Sequence, residues 1–378
     1  MRYDLTIDQK LVKGDARKFL SKECDSTFVR SMAEDDVGDD PKLWKKMAEL
    51  GWMGILVPEK YGESEMTFLE MAVLLFEMGY ACLSSPFFST AVVGVLTLLE
   101  AGTEDQKQAL LPDVARGRRK LTLAWTEPYG NYSLTGIRTK AALKEGEYVL
   151  TGTKIFVPYA HVSDTIICAA RTGEDKGKGE EGISLFLLDR ASPALNVEVL
   201  RTISGEKLCE VRLEEVKVPS TNLLGKVHGG WPILKKILLK SAVAKCAEMS
   251  GGAEKALEMT VSYAKKREQF NRPIGGFQSI QHHCANMLTS VDTSKLMTFQ
   301  SAWLIASGLP FENEASMTKI WVNESYRQLV SLGHQVMGGL GFMEEIDLQL
   351  YFKHAKASEL AYGDATFHRE LLAERMGL

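Results

Sequence analysis

Cysteine is sparse in this chain of 378 residues: Cys24, Cys82, Cys168, Cys209, Cys246 and Cys284 are widely scattered, with no CxxC pair and no companion histidine cluster. That spacing argues against a zinc site or a disulfide framework and leaves the six thiols as small buried groups. Long hydrophobic runs are also missing, since no stretch reaches about 18 uncharged apolar residues, so no membrane-spanning helix is expected. The N-terminus, MRYDLTIDQKLVKGDARKFL, is charged throughout and has no apolar core of signal-peptide length, which predicts an unprocessed cytoplasmic chain. There is no excess of positive charge: the formal net charge is −4. Nucleic acid is therefore not an expected partner, and any phosphate recognition must be local. Internal repeats and low-complexity tails are absent as well.

What is present is a change of period, twice. The first third carries helical signals: Asp40-Pro41 as an N-cap followed by proline, Gly51 as a stop, and Thr67/Glu70 and Thr103/Gln106 at capping-box spacing. From Leu121 the pattern becomes short β-branched runs, LTLAWT, YVLTGTKIFVP, DTIICAAR, ISLFLLD, NVEVL and CEVRLEEVKVP, separated by turn signals such as Glu145-Gly146. The charged segment GEDKGKGEEG reads as a solvated loop. After Gly225 the helical period returns, with helices expected at 229 to 266, 275 to 307, 313 to 337, 346 to 359 and from 365. The expected fold is α+β and multidomain: an N-terminal helical domain (1–120), a middle antiparallel β-barrel or sandwich (121–227), and a C-terminal four-helix bundle (228–378).

One stretch stands out chemically. REQFNRPIGGFQSIQHH, Arg267 to His283, follows an apolar-periodic run and changes direction at Pro273 and Gly275-Gly276. It presents a cation, a ring and an amide together: Arg267 for an anion, Phe270 for an aromatic face, Gln278 to donate and accept. By itself this reads more readily as an ordinary helix hairpin with a solvated arginine.

The order of parts, together with TEP at 126–128, EVKVPSTNLLG at 215–225, REQFNRPIGGFQ at 267–278 and QVMGGLGF at 335–342, resembles the acyl-CoA dehydrogenase family of flavoproteins over nearly the whole chain. That resemblance implies an FAD-dependent enzyme that desaturates an acyl-CoA thioester at the alpha,beta bond. A carboxylate takes the alpha proton and hydride leaves for the flavin. It also implies an electron-transfer flavoprotein or similar acceptor, and a homotetramer or a heterotetramer with a homologous subunit. It places Thr126 and Phe156 against the flavin ring. Arg267, Phe270 and Gln278 match residues that reach the FAD of a neighbouring subunit, and Gln335, Gly338 and Gly339 match a loop under the pyrophosphate.

The chemistry-bearing positions depart from that pattern. The family's usual base is a glutamate in a Tyr-Glu-Gly-Thr loop; aligning AYGDATFHR through Gly363 and Arg369 puts Tyr362 there and Asp364 on the threonine. The catalytic base is thus unassigned, with Tyr362 and Asp364 as candidates, and a tyrosine near pKa 10 is a poor base at neutral pH. The alternative position on the first bundle helix falls on Lys245, with Glu248 one turn on and readable as a surface or helix-end pair. Tyr129 and Tyr132 bring bulk to the flavin loop, and Pro158 can offer neither hydroxyl nor N–H. His368 and Arg369 read as solvent or subunit-contact residues. The YGDATFHR ending resembles a branch that includes paired subunits acting on bulky or cyclic acyl-CoAs, where one chain need not carry the base. A non-catalytic or half-site subunit, or a same-fold flavin enzyme with different chemistry, therefore stands as the alternative.

Overall fold

The protein is described by a computed structural model covering residues 5–62, 66–128, 132, 136–173 and 182–378. Tyr129 and most of the GEDKGKGEEG loop lie outside these residues. The chain forms two compact units, one comprising residues 1–31, 67–83 and 239–378, the other residues 32–66 and 84–238.

The helical signals become helices for the reasons the sequence carries. In the first unit α1 (Ile7–Glu23) opens on a Thr6/Gln9 capping box and α4 (Phe68–Tyr80) on the Thr67/Glu70 box, each satisfying two terminal N–H groups reciprocally. The chain between them includes α2 (Ser26–Glu34) and α3 (Pro41–Glu49); α3 is capped by the Asp40 side chain, and Gly51 follows it at φ 74. In the second unit, α5 (Val95–Ala101) is followed by α6 (Glu104–Ala115), which opens on the Thr103/Gln106 box.

The middle strands are β1 (Leu121–Ala124), β2 (Lys140–Lys144), β3 (Glu147–Pro158), β4 (Thr165–Arg171), β5 (Ile183–Asp189), β6 (Leu195–Leu200), β7 (Leu208–Pro219) and β8 (Leu223–Leu224). They build one eight-stranded sheet in the order β6-β7-β3-β2-β4-β5-β8, with β1 on β4. In detail it departs from the expected antiparallel barrel or sandwich in two respects. The β1–β4 pairing is parallel, as is the single bridge between β2 and β4, and edge strands β6 and β8 are not paired with each other, so the sheet does not close among the described residues. Strand periodicity reports which face is buried, not which neighbour a strand chooses. The β2–β3 link is a two-residue turn with Glu145 and Gly146 both at positive φ, as a hairpin matched to strand twist requires. The sheet core gathers Leu150, Val157, Ile166, Cys168, Phe186 and Val211.

The last third is helical as expected: α7 (Gly230–Lys266), α8 (Gln278–Ala306), α9 (Glu312–Met337), α10 (Leu348–Leu360) and α11 (Ala365–Arg375). Within the first unit α4 and α7 cross very closely. An added Cβ on Gly79 would stand 1.8 Å from the Glu248 carbonyl oxygen, and one on Gly251 would stand 1.8 Å from that of Phe76. Five cysteines are buried and Cys284 is partly so. No helix among the described residues is long and apolar enough to cross a membrane.

Candidate functional site

In the sheet unit the TEP loop is bolted down by its glutamate. Glu127 Oε1 accepts from the backbone N–H of Thr139 at 2.9 Å, the Thr139 hydroxyl at 2.7 Å and Lys154 Nζ at 2.6 Å, while Oε2 accepts from the Arg138 N–H at 2.9 Å. Lys154 is fully buried. Burial opposes ionisation of Glu127, but the Lys154 charge, its hydrogen bond and the Thr139 donors prevail and hold the carboxyl below its ordinary range. Beside this clamp the half-buried Thr126 accepts from the Ile155 N–H at 2.9 Å through its carbonyl, so the TEP segment and the segment carrying Phe156 are joined.

Phe156 is turned outward by backbone geometry. The β3–β7 register slips between Lys154 and Val157, and Phe156 takes φ 57, a left-handed conformation that costs a bulky residue energy. Its neighbours Lys154 and Val157 stay buried while Phe156 is 55% exposed. Tyr132 packs on Trp125 with ring centroids 5.9 Å apart. Pro158 lends its carbonyl to the Thr122 hydroxyl at 2.6 Å.

In the helical unit, the stretch after α7 is a two-stranded hairpin, β9 (Glu268–Gln269) with β10 (Arg272–Pro273). Phe270 and Asn271 form its two-residue turn at φ 54 and 61, and Phe270 is 87% exposed. Arg267 closes the base, its N–H bonded to the Tyr263 carbonyl and its carbonyl accepting from Ile274, both at 2.8 Å. Its side chain is exposed and makes no ion pair among the described residues. Gln278, also exposed, begins α8. Arg267, Phe270 and Gln278 therefore share one hairpin and helix start. Gln335, Gly338 and Gly339 share another feature, the end of α9: all three are exposed, Gly338 takes φ 63 and ψ −140, and a Cβ on either glycine would meet nothing within 4 Å. Such a surface of bare backbone admits close approach of a ligand.

The loop before α11 also uses left-handed backbone, with Tyr362 at φ 60 and Gly363 at φ 99. Asp364 caps α11, its Oδ1 accepting from the Phe367 N–H at 2.8 Å. His368, read from sequence as a solvent or contact residue, is instead buried, with Nε2 3.0 Å from the Tyr362 carbonyl oxygen. Burial above all lowers its pKa to about 4. Arg369 lies at the surface, paired with Glu324.

Family models of the N-terminal, middle and C-terminal domains of acyl-CoA dehydrogenases match residues 6–118, 122–216 and 228–377. The chain belongs to the acyl-CoA dehydrogenase family. It is 33% identical to a probable acyl-CoA dehydrogenase of Bacillus subtilis, with 100% of both chains covered. It is 30% identical to the acryloyl-CoA reductase (NADH) of Anaerotignum propionicum over 100% of this chain and 96% of that one. The solved structure of butyryl-CoA dehydrogenase from Megasphaera elsdenii superposes with a TM-score of 0.92 at 25% identity, covering 100% of each chain. The protein is an acyl-CoA dehydrogenase family oxidoreductase.

Against that family background, two polar groupings were not legible in the sequence. The first is the Glu127–Lys154 clamp, whose only trace is a lone lysine in the apolar run TKIFVP. The second lies in the bundle. Glu248 is not a surface pair as the sequence suggested but only 7% exposed, held by Lys245 Nζ at 2.9 Å and His354 Nε2 at 2.7 Å. His354 Nδ1 is in turn 3.2 Å from the Tyr326 hydroxyl. Despite burial, the Lys245 charge and the His354 contact lower the Glu248 pKa to about 2. A helix of near-even hydrophobicity gives no phase from which to read such an inward charge.

Proposed function

We propose that the protein binds FAD and uses it to desaturate an acyl-CoA thioester between the alpha and beta carbons, as a homotetramer or with a homologous subunit. The observation that carries this reading is the 2.9 Å bond from Ile155 N–H to the Thr126 carbonyl, which joins the two segments that would flank the flavin ring and leaves Phe156 exposed beside them. The residues present suit the cofactor. Exposed Arg267 offers two parallel N–H donors for a phosphate, Phe270 an aromatic face, Gln278 and Gln335 amides, and Gly338 and Gly339 bare backbone with open space above it. FAD, when bound, supplies the hydride acceptor, and an electron-transfer flavoprotein or similar protein takes the electrons onward.

The alpha proton needs a base. Asp364 is the carboxylate we put forward: Oδ1 is committed to the α11 cap, and Oδ2 has no bond among the described residues. Tyr362 is the other residue of that loop able to move a proton, and it is the weaker one. Glu248 is a poor base, because the Lys245 charge and the His354 contact stabilise its ionised form. A second reading rests on Tyr362 occupying the family's glutamate position: the chain is the half of a heteromer that holds cofactor while a homologue supplies the base. Anaerobic titration with straight, branched and cyclic acyl-CoAs tests both, since bleaching of the purified chain alone supports the first reading. Bleaching only after co-expression with a glutamate-bearing homologue supports the second, and a protein that takes up no FAD in either form defeats both.

A further inference from the structure

The far end of the sheet unit carries a polar cleft, of about 630 Å³, between the middle of α6, the starts of β1 and β4 and the end of β5. Because β1 and β4 are parallel, their starts lie together, while Thr126 lies beyond the other end of β1, roughly 16 Å away for five extended residues. The cleft is thus separate from the TEP segment. Its size is that of small-molecule sites.

Two arginines line it, and both carry a buried Nε with no hydrogen-bond partner. Arg119 is oriented by one bond, Nη1 to the Thr165 hydroxyl at 3.0 Å. Arg190 has no side-chain bond or ion pair among the described residues. A buried guanidinium N–H without an acceptor is costly, and two in one cleft call for an oxygen-rich anion. The same cleft holds Asp164, which accepts from the Lys120 N–H at 2.7 Å, and Asp189, which accepts from the Ala191 N–H at 2.9 Å. Each keeps one carboxylate oxygen unbonded among the described residues. Two cations and two carboxylates cancel, so a bare anion gains little net attraction. A ligand with an anionic head for the arginines and hydroxyl donors for the aspartates matches both halves. We infer that this cleft is a binding site for a small hydroxylated oxyanion, a sugar phosphate or a sugar acid.

Calorimetric titration of the purified protein with ribose 5-phosphate, gluconate and inorganic phosphate tests this. At least one of the two hydroxylated anions is expected to bind, and which one identifies the head group; inorganic phosphate should be at least tenfold weaker. Arg190→Gln should weaken binding tenfold or more while leaving flavin content and melting temperature unchanged, which keeps the result independent of the FAD reading. No saturable binding of either hydroxylated probe would overturn the site, as would undiminished affinity in Arg190→Gln. Inorganic phosphate binding as tightly as ribose 5-phosphate would overturn the role given to the aspartates.

Discussion

Lys154 Nζ lies 2.6 Å from Glu127 Oε1, with the lysine fully buried and the glutamate nearly so. Lys154→Met would leave that carboxylate buried beside Thr139 with its counter-charge gone, at a cost of about 3–5 kcal/mol. Glu127→Gln/Lys154→Met should cost less than the two single changes added together, since neither charge is then stranded. Denaturant unfolding of the four proteins measures this, and strict additivity would show the pair to be uncoupled.

Arg267→Ala removes the charge-assisted contact proposed for the FAD phosphate, worth about 1.5–3 kcal/mol, or roughly 10- to 150-fold in retention. Flavin absorbance per protein after gel filtration reads it out. Unchanged retention would place the cofactor elsewhere.

Asp364→Asn separates capping from catalysis. Asparagine caps a helix about as well as aspartate, so the melting temperature should hold. Substrate bleaching of the flavin should nevertheless vanish if Asp364 is the base. Persistent bleaching would confine Asp364 to the cap.

Gly79→Ala and Gly251→Ala should each destabilise the helical unit by about 1–3 kcal/mol or more, because the new methyl would meet backbone oxygen on the facing helix at 1.8 Å. Gly14→Ala in α1, where a Cβ meets nothing within 4 Å, should instead stabilise by about 0.5–1 kcal/mol. Thermal melts of the three variants decide it. A tolerated Gly79→Ala would mean that the two helices separate easily.

His368 predicts an acid dependence of stability. Its folded pKa of about 4 lies below the ordinary value of 6.5, so the unfolded chain binds the proton more readily between those values. Stability should therefore fall as pH drops through that window, by up to about 1.4 kcal/mol per pH unit, from this one group. His368→Gln should flatten the slope between pH 6.5 and 4. An unaltered slope would assign the effect to other groups.

Much of the fold could be read directly. The capping boxes at Thr67 and Thr103, the Asp40 cap and the Glu145-Gly146 turn are local events, each depending on residues within a few positions, and each is found where its residues stand. The five helices after Gly225 follow from periodicity for the same reason. Sheet closure did not follow, because strand partners are chosen by contacts far apart in sequence.

By itself the sequence determined the C-terminal helices, six of the eight strands of the sheet, the family, and the residue types offered at 267–278 and 335–339. Tertiary structure alone decided where charge goes inside. It paired Lys154 with Glu127 across 27 positions and His354 with Glu248 across 106, it buried His368, and it brought Arg119 and Arg190 to one cleft. A buried charge is stable only beside its complement, and that complement is supplied by a neighbouring segment in space that no local pattern names.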